Sequence, residues 1–194
     1  MECRRKHFLA VAAISFLTAA LASAQPSTNR PVGWAQPIQV AGVKNCFQVT
    51  SNLYRGAQPT AKGFKNLQAM GIKTDVNLRA WHSDKDKVAG TGLKSVRFRM
   101  EPWRGDTEEV VQFLKVATDT NNLPAFVHCE RGADRTGMMC AMYRVAVCGW
   151  TKAQAIDEMK NGGFNFSPTW HELITFIQKA DIADIKRRAG LPGN

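Results

Sequence analysis

Between residues 124 and 148 the chain carries a passage that leaves few architectures open. Pro124 precedes Ala125-Phe126-Val127, a short apolar run. His128-Cys129-Glu130-Arg131-Gly132-Ala133-Asp134-Arg135-Thr136-Gly137 follows, and then a stretch rich in Met, Ala and Val reaching Cys148. The apolar run reads as a buried strand and residues 135–148 as a helix, so Cys129 sits at a strand-to-helix junction. A helix start carries four N–H groups without intrahelical partners and the positive end of the helix dipole. A tight loop containing Gly132 can turn successive N–H groups inward as an anion nest, and Arg135 adds a planar fork matched to two phosphate oxygens. Cys129, Glu130, Arg131, Gly132, Ala133, Asp134 and Arg135 are therefore expected to form a phosphate cradle. A thiol at such a place has its pKa lowered into the range of roughly 3.5–7.5 and is a nucleophile at neutral pH. His128 is expected to orient the loop by hydrogen bonding. The Thr136 hydroxyl is expected to donate to sulfur when it becomes the leaving group. A lone Cys-x5-Arg is as compatible with a buried structural Cys; the surrounding His, Gly, Thr and Gly favour catalysis.

These residues resemble the cysteine-dependent protein tyrosine and dual-specificity phosphatases, whose signature is His-Cys-x5-Arg-Ser/Thr, at His128, Cys129, Gly132, Arg135 and Thr136. Leu53-Tyr-Arg-Gly-Ala-Gln-Pro59, Gly71-Ile-Lys-Thr-Asp-Val-Asn-Leu-Arg79, Tyr143-Arg144 and Gly149-Trp150 are similar to the bacterial dual-specificity-like branch. They also look like its plant and fungal relatives that act on inositol pyrophosphates. The resemblance runs from about Phe47 to Phe166. It implies a metal-independent phosphate monoester hydrolase without cofactor, working through a cysteinyl-phosphate that water resolves. Its substrates would be phosphotyrosine, phosphoserine or phosphothreonine proteins, or phosphoinositides and inositol phosphates. Two other readings compete. A rhodanese-like sulfurtransferase also places Cys and a basic loop at a strand end, but Thr136-Gly137 and an upstream Asp speak against it. A non-catalytic phosphate-binding module needs the cradle without both Cys and Arg.

Two residues compete for the acid that protonates the leaving group. Asp106 lies between a strand and a helix upstream of Cys129, as the family's acid loop does, although with Glu109 it also forms a capping box. Asp134 lies inside the loop, as in lipid-directed and triple-specificity branches, and its plain role is an Asx hydrogen bond. The Trp-Pro-Asp pattern of the tyrosine-specific branch is absent. Arg79, Lys85 and Lys87 are candidates for a basic substrate rim, although each alone is more often a solvated charge. Arg55 is expected to pair with a carboxylate or with carbonyls near the loop. Trp81, Trp103 and Trp170 serve as pocket walls or core.

Residues 1–24 read as a secretory signal: a basic Arg4-Arg5-Lys6, an apolar Phe8 to Leu21 too short to span a membrane, and Ala22-Ser23-Ala24 before a cleavage point. The expected mature protein is secreted or periplasmic, with no stable membrane anchor. Its loss takes the formal charge from +10 to +8. No aromatic-basic interleaving points to nucleic acid, so the charge reads as anionic steering or plain solubility. Cys140 and Cys148 fall about 12 Å apart on one helix, too far to bridge. Cys46 with either remains open against buried free thiols. Residues 25–44 read as an extended lead-in and 45–190 as the phosphatase domain. Within it, strands are expected at residues 46–50, 72–78, 96–100 and 125–127, and helices from Thr60, Asp106, Arg135, Thr151 and Ser167. The polar stretch from Trp81 to Gly92 reads as a loop with at most one helical turn. This order gives an α/β fold, a central mostly parallel sheet flanked by helices, with the nucleophile loop between a central strand and a buried helix.

Overall fold

A computed structural model describes residues 30–193; the expected leader over residues 1–24 lies outside them. Strands β1 (Gln36–Pro37), β2 (Phe47–Gln48) and β3 (Leu53–Gly56) pair antiparallel. Strands β4 (Thr74–Asn77), β5 (Lys94–Arg97) and β6 (Ala125–His128) continue the sheet in parallel with β3, in the order β1-β2-β3-β6-β4-β5. Thus β6 lies between β3 and β4, with His128 level with Gly56 on one side and Asn77 on the other. Everything following these three strands emerges at the same carboxyl edge, where open α/β sheets bind ligands.

Both faces of the sheet are covered, which is why β6 reads as unbroken apolar sequence. On one face Phe64 and Leu67 of α1 (Ala61–Ala69) and Val88 of α2 (Lys85–Val88) pack on Phe126. On the other, Leu53, Val76 and Val127 meet α3 (Thr107–Thr118), α4 (Asp134–Ala146), α5 (Lys152–Asn161), α6 (His171–Lys179) and α7 (Ile182–Ala189) in one large core. Every residue of α4 except Val145 is buried, the expected central helix. The Thr60 side chain caps α1, and Thr151 with Gln154 forms the expected capping box on α5. The stretch between β4 and β5 contains the single turn α2.

Three features go beyond the expected elements. In the strand expected over residues 72–78, Asp75 and Asn77 are fully buried, because β4 is interior to the sheet and α1 and α2 close over that side. The helix expected from Ser167 is divided in two. A 3-10 turn (Pro168–Trp170) leads into α6, and Asp181, whose side chain accepts from the Asp184 amide, starts a separate α7. Leu53 to Gly56, read only as part of a motif, is a strand beside the nucleophile strand. Of the lead-in expected over residues 25–44, residues 30–37 are docked onto the body, with a turn in which Trp34 N donates to Pro31 O and a short strand at Gln36–Pro37. Ala35 N donates to Glu158 Oε1, Arg144 donates to both Glu158 oxygens and to Gly33 O, and Arg30 donates to Gly162 O. Cys46, Cys129, Cys140 and Cys148 are all free thiols.

Candidate active site

Cys129 follows directly on β6 and Arg135 stands in the first turn of α4, so the seven residues from Cys129 to Arg135 bridge strand to helix. Four successive carbonyls of this loop are held from outside. His128 Nδ1 lies 3.0 Å from Cys129 O and Gln58 N donates to Glu130 O at 3.1 Å. Asn45 Nδ2 donates to Arg131 O at 3.0 Å, and Arg55 Nη2 to Gly132 O at 2.6 Å. With the carbonyls turned outward, the loop amides are left for the cleft, the arrangement an anion nest requires. Arg55, expected to meet a carboxylate or carbonyls, does the latter, and its guanidinium lies 3.7 Å from the ring centroid of Phe164. Gly132 has φ 71°, and a Cβ there would come within 2.3 Å of the Gly56 backbone, so both conformation and space require glycine.

A cleft of about 360 Å³ opens above, lined by Pro102, Cys129, Glu130, Arg131, Asp134, Arg135 and Trp170. Burial opposes ionisation of the Cys129 thiol. The Thr136 hydroxyl, the amides of Thr136 and Gly132 and the Arg135 guanidinium outweigh it, and the pKa falls below the ordinary thiol value. The Thr136 hydroxyl is buried and has no other partner among the described residues, so the sulfur it faces is the group it serves. Arg135 Nη1 lies 3.3 Å from Met100 O and 3.5 Å from Leu78 O, long contacts that locate the guanidinium without saturating it.

Beneath the loop is a buried charge cluster that the sequence did not announce. His128 Nε2 lies 3.1 Å from Asp75 Oδ1 and 3.2 Å from Asp84 Oδ2. Burial pushes the imidazole pKa down, but the two carboxylates overturn this and raise it to about 9. At neutral pH His128 is a cation whose Nδ1–H donates to Cys129 O. Asp84 also accepts from Asn77 and Gln58 and pairs with Lys87 at 3.2 Å. The ligand atoms of Asp75, Asp84 and His128 lie within 4.8 Å of one another, a spacing a metal could bridge. Both Asp84 oxygens are already engaged by these donors, however, and the imidazolium itself supplies the compensating charge. Gln58 lies inside the Leu53-to-Pro59 motif, so its motif was visible; Asp84 sits in a polar loop where nothing distinguished it.

The remaining expected residues divide. Asp134 lines the cleft, but both its oxygens accept: Oδ1 from Ser167 N at 2.8 Å and Oδ2 from Arg131 at 2.8 Å. Asp106 is outside the lining; its Oδ1 caps α3 through Glu108 N and Glu109 N, and its half-exposed Oδ2 lies 3.7 Å from Arg104. Arg79, Lys85 and Lys87 are also absent from the lining. Arg79 donates to Gln58 Oε1 and stands 3.9 Å from Glu130, Lys87 is turned to Asp84, and Lys85 is exposed. Trp170 forms a wall of the cleft, whereas Trp81 and Trp103 are exposed.

A family model described as "DSP-PTPase phosphatase fused to NAD+ Kinase" matches residues 41–172. The dual specificity protein phosphatase TpbA of Pseudomonas aeruginosa is 30% identical over 170 residues, covering 86% of this chain and 75% of that protein. The inositol diphosphatase DSP3 of Arabidopsis thaliana is 26% identical over 160 residues, covering 76% and 75%. The crystal structure of P. aeruginosa TpbA in complex with phosphotyrosine superposes with a TM-score of 0.73 at 27% identity, covering 83% of this chain and 98% of that one. With that coverage, and with Cys129 and Arg135 at the two ends of an amide-lined cradle, the chain belongs to the cysteine-dependent dual-specificity phosphatase family and is a phosphatase.

Proposed function

We propose that this protein hydrolyses phosphate monoesters, on phosphorylated proteins or inositol phosphates, through a cysteinyl-phosphate and without a metal ion. The observation that carries this reading is the outward pinning of four consecutive loop carbonyls around a Cys129 whose thiol pKa is lowered by the groups that face it. Cys129 Sγ attacks phosphorus as the P–O bond to the leaving group breaks, while Arg135 and the loop amides hold the three non-bridging oxygens. The leaving oxygen takes a proton from an acid. Asp106 fits this role better than Asp134, whose two oxygens are both engaged as acceptors. The half-exposed Oδ2 of Asp106 is the freer, and catalytic contacts often tighten only when substrate is bound. Water then attacks phosphorus, Asp106 takes its proton, and sulfur leaves as a thiolate that accepts from Thr136.

The substrate classes follow the relatives: TpbA is named as a dual specificity protein phosphatase and solved with phosphotyrosine, and DSP3 as an inositol diphosphatase. The test is hydrolysis of p-nitrophenyl phosphate in the presence of chelator, beside thiosulfate-to-cyanide sulfur transfer. The expected result is phosphatase turnover, no sulfur transfer, and no turnover in Cys129→Ser. Retained turnover in that variant sinks the mechanism.

A further inference from the structure

Strand β5 is one edge of the sheet. Lys94 N donates to Lys73 O and Phe98 N to Asn77 O, both on the β4 side. Strand alternation therefore turns the N–H and C=O groups of Ser95 and Arg97 outward, and nothing among the described residues bonds to them. Lys94, Ser95 and Arg99 are exposed and Arg97 is half-buried. The opposite edge, β1, is two residues long and contains Pro37, which has no N–H to offer a further strand.

An open edge invites pairing with another strand, and its charges restrict which strand can join. Phe98 packs on the larger core, whereas the Ser95 hydroxyl donates to Asp75 Oδ2 on the other face. Arg97 and Arg99 alternate onto the same face as Ser95, and neither guanidinium has a partner among the described residues. Lys94 donates to the neutral Asn122 Oδ1 at 2.7 Å, which leaves its charge uncompensated. A second copy of this edge would bring the same cations to the junction. An acidic strand would complement them, because opposite charges at facing positions of a sheet attract.

The edge also leads to the catalytic cleft. Met100 O lies 3.3 Å from Arg135 Nη1, and Pro102 belongs to the cleft lining. With β4 and β5 between, a strand added outside β5 would lie about 14 Å from β6, a span that roughly four extended residues cover.

We propose that β5 is a docking edge for an extended acidic segment of a phosphoprotein substrate, which joins the sheet as a further strand and delivers its phosphoresidue to Cys129. The proposal rests on the phosphatase reading and adds to it a mode of protein binding. Backbone pairing with Ser95 and Arg97 supplies affinity, and acidic side chains at alternate positions beside Arg97 and Arg99 supply selectivity.

The probes are phosphotyrosine peptides carrying a Glu-Val-Glu-Val-Glu extension before or after the phosphotyrosine, separated from it by roughly four residues. In one of the two orientations the extension should raise kcat/KM about tenfold over the peptide without it, through KM. Only alternate amides of an added strand face its neighbour. N-methylation of one alternate set of extension amides should therefore abolish the gain, and N-methylation of the other set should spare it. Arg97→Pro removes the outward N–H together with the charge and leaves the ladder to β4, so it should lose more of the gain than Arg97→Gln. Neither variant should change hydrolysis of p-nitrophenyl phosphate. If Arg97→Pro does not fold, the N-methylation pattern decides alone. Absence of a gain, or equal sensitivity of the two amide sets, overturns the docking edge; a gain indifferent to all N-methylation is plain electrostatic steering and overturns it too. A wild-type dimer in light scattering that the extended peptide dissociates assigns the edge to a second copy, with the same consequence. Failure of the wild-type chain to hydrolyse p-nitrophenyl phosphate overturns the phosphatase reading instead.

Discussion

Arg135 and Thr136 act on the same sulfur-to-phosphorus exchange but on different charges. Arg135→Ala removes a fork matched to the developing charge on phosphoryl oxygens, and kcat/KM for an aryl phosphate should fall by about a thousandfold. A loss below tenfold counts against its role. Thr136→Val takes from the thiolate its one hydroxyl donor. The pH at which iodoacetate begins to alkylate Cys129 should rise, and cysteinyl-phosphate should accumulate when its hydrolysis is slowed; rapid-quench trapping measures the second. For the acid, the discriminating variable is leaving-group basicity, because proton donation matters most for a basic leaving oxygen. Asp106→Asn should slow alkyl phosphates far more than nitrophenyl phosphates, and Asp134→Asn should slow both alike by loosening Arg131 and Ser167. The reverse pattern would transfer the role to Asp134.

The cradle loop is shaped by elements that never touch phosphate. β3 supplies Arg55, the turn after it supplies Gln58, and the turn before β2 supplies Asn45, each gripping one loop carbonyl. Arg55→Met keeps much of the bulk and loses the donor. It should lower kcat severalfold or more, while the purified variant still folds, as judged by circular dichroism. From beneath, β4 and the turn starting α2 hold His128 as a cation through Asp75 and Asp84. The sign follows from the raised pKa. An imidazole of pKa about 9 in the fold and 6.5 when exposed stabilises the fold fully below pH 6.5, and that contribution disappears as pH rises through about 9. The wild-type melting temperature should therefore fall between pH 7 and pH 10. Asp84→Asn should flatten this slope, and an unchanged slope would show that Asp84 does not hold the proton on His128.

Across the whole molecule, one buried ion pair joins three separate parts of the chain. Glu158 of α5 binds Arg144 of the central helix and the Ala35 amide of the N-terminal strap, with both charged side chains about 5% exposed or less. Removing one partner of such a pair leaves a charge buried without compensation. Glu158→Leu should cost about 3–5 kcal/mol in urea unfolding, and adding Arg144→Met should recover much of it. The expected leader is tested at this scale too: if residues 1–24 are removed on export, a periplasmic or secreted fraction should hold a chain beginning at Gln25, which N-terminal sequencing would read. Full-length protein in that fraction refutes the cleavage.

How much of this was legible depended on whether a residue's neighbours were close in sequence. The strand, cradle and buried helix around Cys129 were, because the apolar run, the glycine and the Met- and Ala-rich stretch carry their own conformational preferences within some 25 consecutive residues. The caps at Thr60, Asp106 and Thr151 were legible for the same reason, each being a contact within three residues. Lys87 misled, because its charge made it a candidate for the substrate rim, and nothing in the strand pattern singled out Asp75. Only the sheet order, which places β4 against β6 with α1 and α2 closing above, turned Asp75, Asp84 and Lys87 into supports for His128. Asn45 likewise reaches the cradle loop only in the folded chain, bonding across 86 residues to Arg131. Local chemistry determined which residues can react and where chain elements begin. Long-range packing decided which charges face substrate and which are consumed inside the protein, because burial and partner geometry are properties of the assembled sheet.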